Sequence, residues 1–132
     1  MEPYRRKVRY WDVDSNAHVF NVRYLVYVDD ALTDFLEDSG YGFDDHPDAG
    51  YLLVLARTEI DYLSEAVIGD ILATTVKVDR VGNTSITFGF EIIEEGTQRE
   101  VARGRQVYVA IGVDDHEPVP IPDDLRSTMT SG

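Results

Sequence analysis

One amphipathic helical segment followed by four runs of two-residue alternation constrains this chain more than any other feature. Between Val22 and Ser39, the residues Leu25, Val28, Leu32, Phe35 and Leu36 recur at three- and four-residue spacings, the mark of a single buried helix face. Asp30, Asp34 and Asp38 fall on the opposite face. Asn21 is placed to cap the helix start and Gly40 to stop its end. The polar, turn-rich stretch 41–50 reads as a loop. Strands are expected over 4–11, 51–62, 70–81, 85–94 and 99–112. Ile86, Phe88 and Phe90 alternate cleanly. In the last strand, Val101, Arg103, Arg105, Val107, Val109 and Ile111 should share one face, with Ala102, Tyr108 and Ala110 on the other. Gly82-Asn83 and Glu95-Gly96 read as turns, and the acid- and proline-rich tail from about 114 reads as loop. One apolar helix covered by one antiparallel sheet is a two-layer α+β unit, expected here as a single domain over 1–132. A cystatin-like cone is the competing fold, and it usually wants more helix before its sheet.

Charge narrows the partners. The 132 residues carry 25 acids against 12 bases, a formal net charge of -13. Such a surface repels nucleic acid and anionic membrane, both of which are met first through phosphate. No long apolar run or basic-then-apolar leader is present, so no membrane span or signal peptide is expected. Zero cysteines exclude disulfide and thiolate chemistry and fit a cytoplasmic protein. Lys7 and Lys77 are the only lysines, which with the acid excess suits a salt-adapted surface. Like-charge repulsion should then weaken the compact state at low ionic strength. The Debye length shrinks from about 30 Å at 0.01 M salt to about 3 Å at 1 M. The thermal midpoint is therefore expected to rise from low to molar chloride; a steady fall would mean that specific ion pairs outweigh the net charge.

The segment Arg9–Tyr24 carries the chemistry. It sets Asp12 and Asp14 in a turn just ahead of the helix. An acid there lies near backbone N–H groups that no helical bond uses. Those groups can polarise a carbonyl while the acid supplies a base or nucleophile. The competing reading makes Asp14 and Asn21 only turn and cap residues. Asp12 reads as a turn acid, and His18 as a group that orients the loop or contacts substrate. Asp29 lies beside the apolar stripe and reads as a helix-edge group paired to a base or hydroxyl. Thr58 and Glu59 are strand-borne candidates for substrate contact, against a surface or paired role for Glu59. His46 and His116 lack ligand spacing, so no metal is expected. G-x-S-x-G, P-loop and G-x-G-x-x-G motifs are absent.

The same segment resembles the signature of the 4-hydroxybenzoyl-CoA thioesterase family of hotdog-fold proteins, roughly D-x-D-x-x-G-H-V-N/x-N/H-x-x-Y. Asp12, Asp14, His18, Val19, Asn21 and Tyr24 match it. Ala17 stands where glycine is usual, and Phe20 where asparagine or an aromatic is frequent. The resemblance continues through Glu59-Ile60-Asp61-Tyr62-Leu63, Gly69-Asp70 and Ile121-Pro122, with Ser64 in place of the usual proline. It implies a hotdog fold, one long central helix wrapped by a five-stranded antiparallel sheet. It also implies acyl-CoA thioesterase activity, with Asp14 as nucleophile or general base and the helix start near Asn21 polarising the thioester carbonyl. His18, Tyr24, Asp29, Thr58 and Glu59 would be substrate contacts, and because some hotdog thioesterases carry their catalytic acid on the central helix, Asp29 is next in line after Asp14 for that role. No cofactor is implied beyond the coenzyme A carried by the substrate. A single such sheet leaves open edges, so a homodimer or tetramer is expected, with the site at the interface. A non-catalytic acyl-CoA or small-ligand binder and a hotdog dehydratase are the competing functions.

Overall fold

The computed structural model describes residues 2–40 and 50–130. The expected loop at 41–50, apart from Gly50, and the expectation for His46 lie outside the described residues. Five strands form one sheet: β1 (Tyr4–Lys7), β2 (Tyr51–Tyr62), β3 (Ile71–Val81), β4 (Ser85–Glu94) and β5 (Arg99–Gly112). Their order is β1-β3-β4-β5-β2, with every neighbouring pair antiparallel. Helix α1 (Arg23–Asp38) packs its apolar face on β1 and β3.

The first strand is shorter than its sequence suggests. It ends at Lys7, and Tyr10–Asp12 turn into a single 3-10 turn. Val8 is buried and exchanges backbone hydrogen bonds with Gly69 and Asp70, so the chain leaves the sheet there. Tyr10 and Trp11, which alternation would have placed in the strand, are exposed.

The buried face of α1 is Tyr24, Tyr27, Val28, Ala31, Leu32 and Leu36. It is turned relative to the expected stripe: Leu25 and Phe35 lie half-buried at its margins. Asp30 consequently moves off the solvent face and accepts a 2.9 Å hydrogen bond from the Tyr4 hydroxyl. Gly40 does end the helix: its φ of 82° is left-handed, and its N–H donates to the Glu37 carbonyl. Asn21 does not cap the start. Val22 holds that position in right-handed helical geometry, with no side-chain cap.

Three bulges interrupt the alternation, leaving Ala56, Asp79 and Val101 as the extra residues. The one at Val101 corrects the expectation for β5. Val101 and Ala102 are both buried, although they are neighbours, while Arg103 and Arg105 are exposed. The tail is also more ordered than its composition suggests. Asp123–Thr130 form a second helix, α2, which buries Leu125 and Met129. Arg126 donates to the Gly82 carbonyl at 2.8 Å, and the Ile121 N–H to the Asn83 carbonyl at 2.8 Å, fastening the tail to the β3–β4 turn. Among the described residues no helix is long and apolar enough to cross a membrane.

Candidate active site

The turn between β1 and α1 is organised by two carboxylates with opposite surroundings. Asp12 is only 1% exposed. It accepts from the Arg9 N–H at 2.8 Å, from Arg23 Nε at 2.9 Å, and from Arg6 Nη2 at 3.1 and 3.2 Å. Burial alone would push its carboxyl up, but the Arg9 N–H and the Arg23 and Arg6 guanidiniums outweigh it and hold it below the ordinary carboxylate range. Asp12 is thus more than a turn acid. It joins β1, the 3-10 turn and the first residue of α1 at one buried point.

Asp14 is exposed and keeps part of its carboxylate open. Its Oδ1 accepts from the Asn16 N–H at 2.8 Å and, more weakly, from the His18 N–H at 3.4 Å. This is the local side-chain turn expected of aspartate. Its backbone N–H donates to the His18 carbonyl, and the Ala17 N–H donates to the Asp14 carbonyl. Oδ2 meets no hydrogen-bond partner among the described residues. The turn therefore occupies one carboxylate oxygen and leaves the other. Ala17, standing where the family signature has glycine, has a φ of 63°. A side chain in this left-handed region costs on the order of 1 kcal/mol.

A cleft of about 320 Å³ brings together Asp14, His18, Asn21, Tyr24, Tyr62 and Glu65. Its floor is aromatic: Tyr24 is buried, and its ring centroid lies 5.7 Å from that of Tyr62. Burial raises the Tyr24 phenol above its ordinary value, so it stays protonated while accepting from the Ala66 N–H. The Tyr62 hydroxyl donates to the Asn21 carbonyl at 3.1 Å. The N–H groups of Asn21, Val22 and Tyr24 donate to no group among the described residues. Asn21 thus brings an open helix start to the cleft without a side-chain cap.

Three expected contacts lie elsewhere. Asp29 is an exposed residue of α1 that does not line this cleft. The Tyr108 phenol is raised by burial and then by the charge of Asp29. Thr58 and Glu59 line a separate groove of about 810 Å³ on the sheet. There Thr58 accepts from the Gln106 amide, and Glu59 pairs with Arg57 and Arg105. Tyr62 and Glu65, by contrast, belong to the Asp14 cleft and were not among the expected site residues. Tyr62 lay within the segment carrying the family resemblance, a usable signal. Glu65 had none, because its place depends on backbone pairing of His18 with Val67 and of Val19 with Ala66.

A model of the thioesterase-like superfamily matches residues 8–129. The chain belongs to the thioesterase-like superfamily. Within it, the chain is 27% identical over 123 residues to the long-chain acyl-CoA thioesterase FadM of Escherichia coli, covering 93% of this chain and 92% of that protein. It is 24% identical over 132 residues to a 1,4-dihydroxy-2-naphthoyl-CoA hydrolase of Thermosynechococcus vestitus, covering 99% and 90%. The crystal structure of a 1,4-dihydroxy-2-naphthoyl-CoA thioesterase from Synechocystis superposes with a TM-score of 0.88 at 20% identity, covering 97% of this chain and 94% of that one. At that identity the likeness establishes the fold: a hotdog thioesterase fold with a five-stranded antiparallel sheet. Two details depart from the expected description. Helix α1 has 16 residues, and a second helix, α2, accompanies it.

Proposed function

We propose that the protein is an acyl-CoA thioesterase that hydrolyses an acyl-CoA thioester to free acid and coenzyme A. One observation carries this reading: Asp14, with its free Oδ2, and Asn21 and Tyr24, with unspent N–H groups at the start of α1, line the same cleft. Asp14 acts as general base toward water, or as the nucleophile itself. The helix-start N–H groups near Asn21 receive the charge that develops on the thioester oxygen. Tyr24 and Tyr62 supply a wall for the acyl group, and His18 borders it. Membership of a thioesterase-like family and the coenzyme A thioesters named for two relatives support the substrate class. The reaction needs no cofactor beyond the coenzyme A of the substrate.

The reading is tested by free-thiol release over a panel of aromatic, short and long acyl-CoAs. Turnover of at least one class is expected. Binding of acyl-CoA without thiol release from any member would replace the enzyme with a non-catalytic binder.

We further propose a homodimer through β2. This 12-residue strand ends the sheet, and Leu52, Val54 and Leu55 on it are exposed. A long apolar edge invites pairing with another strand. Such pairing would place the acyl chain between α1 and the neighbouring subunit's strands, giving Thr58 and Glu59 a route to a site they do not reach within their own chain. Sedimentation at micromolar concentration should return twice the chain mass. An active, monodisperse monomer would remove the shared site.

A further inference from the structure

The cleft contains a second proton-handling pair, separate from Asp14. His18 Nδ1 lies 3.1 Å from Glu65 Oε2. Nε2 of the same ring has no hydrogen-bond partner among the described residues, and both side chains border the Asp14 cleft. When one imidazole nitrogen is held by a carboxylate, the tautomer and ring orientation are fixed and the other nitrogen is left for proton transfer. The surrounding charged and titratable groups are Asp14 on the turn, Tyr24 on α1, Tyr62 on β2, and Arg99 and Asp70 behind Glu65. Arg99 donates to the Glu65 carbonyl and to Ser64 Oγ and pairs with Asp70, so it holds the backbone of Glu65 and leaves the carboxylate to His18.

We propose that His18 is the proton donor to the departing sulfur and that Glu65 is its positioning residue. This rests on the thioesterase reading above. A thiolate can leave unaided, but the thiol of coenzyme A is basic enough that a positioned acid separate from Asp14 speeds its departure. The step balances as follows. Water loses a proton to Asp14 Oδ2, and its oxygen bonds to the thioester carbon. The tetrahedral adduct collapses, and the carbon–sulfur electron pair leaves with sulfur. The His18 ring, entering the step as imidazolium with Nδ1–H on Glu65, gives its Nε2 proton to that sulfur, forming the free thiol and leaving a neutral imidazole. The proton on Asp14 then returns to the imidazole, directly or through solvent, and restores both groups.

The Glu65 carboxylate is largely exposed and the imidazole about a third exposed, so the pair adds little to stability and its variants can be read on chemistry. The test uses the full-length protein and two thioesters of one acyl group, one with coenzyme A and one with a far more acidic aromatic thiol. An acidic thiol leaves without protonation. His18→Gln should therefore shift the ratio of kcat values toward the aromatic thioester by about 10²-fold. Glu65→Ala should shift it in the same direction, Glu65→Gln should restore part of it, and the double variant should be no worse than His18→Gln alone. Equal losses on both thioesters, or additive losses in the double variant, would reduce the pair to a structural strap and overturn the proposal. Failure of the wild-type protein to release thiol from either compound would instead remove the thioesterase reading beneath it.

Discussion

Asp14→Asn is expected to keep the fold and lower kcat for acyl-CoA hydrolysis by about 10²–10⁴-fold. The fold should survive because an asparagine side chain still offers an oxygen to the Asn16 and His18 N–H groups, which among the described residues are the only groups Asp14 holds with its side chain. Activity should not, because an amide oxygen neither accepts water's proton usefully nor attacks a thioester. The effect should fall on kcat, with KM nearly unchanged, since the tyrosine wall and helix start are untouched. The measurement is steady-state thiol release on the best substrate of the panel, beside a circular dichroism melt. A rate close to wild type would move the chemistry to another acid. Asp29 would be next in line, although it does not border the Asp14 cleft and would have to act on a substrate lying along α1.

The largest effect on stability is expected at Asp12. Asp12→Ala leaves the Arg6 and Arg23 guanidiniums facing a buried gap and the Arg9 N–H without its acceptor. Breaking a buried pair from one side costs about 3–5 kcal/mol. Because the arginine ends are partly exposed, water can reach them, and the lower part of that range is expected. A thermal melt or urea titration should show it directly. A change under about 1 kcal/mol would mean that the network is solvent-screened like a surface pair. The same carboxylate imposes a pH dependence of known sign. Its folded value lies below the ordinary one, so its stabilisation is complete above the unfolded carboxylate range. It drains away as pH falls through the lower folded value. Asp12→Ala should flatten that acid limb of the stability curve.

The elements that were legible in the sequence are those with a strong local period. The spans of β2, β4 and β5 match their expected bounds, and the body of α1 follows from its apolar spacing. What escaped was set by distant contacts. Tyr27 reads as an ordinary aromatic, yet it is fully buried with the Arg6 guanidinium 5.6 Å from its ring centroid. The partners of Asp12 lie on both sides of it in the chain, and nothing local shows that Arg6 and Arg23 converge there. Asn21 has the right chemistry for a cap but sits one residue too early. Helix α2 did leave a mark, since Ile121, Leu125 and Met129 are four residues apart and two acids open its first turn. Proline and acid content masked that spacing. At the site, the grouping of Asp14, His18, Asn21 and Tyr24 follows from their closeness in sequence. The arrival of Glu65 and the departure of Thr58 and Glu59 do not.

The bulges also bear on how a chain of this kind can gain or lose residues over time. Each is a phase slip. In β2, Tyr51 and Leu53 turn inward before Ala56, and Thr58 and Ile60 do so after it. In β3, Val76 and Val78 precede the slip at Asp79, and Val81 follows it. A one-residue deletion in an unbulged stretch inverts every side chain beyond it, carrying apolar groups into water and charges into the core. A deletion at Ala56 or Asp79 would instead remove the extra residue and leave both halves of the strand on their own faces, because Leu53 and Thr58, or Val78 and Val81, would then stand an even number of positions apart. Insertions that restore a slip are equally local. The bulges therefore mark the positions where length variation is least damaging within the sheet, since a residue lost or gained there changes the sheet's local curvature and keeps the same core.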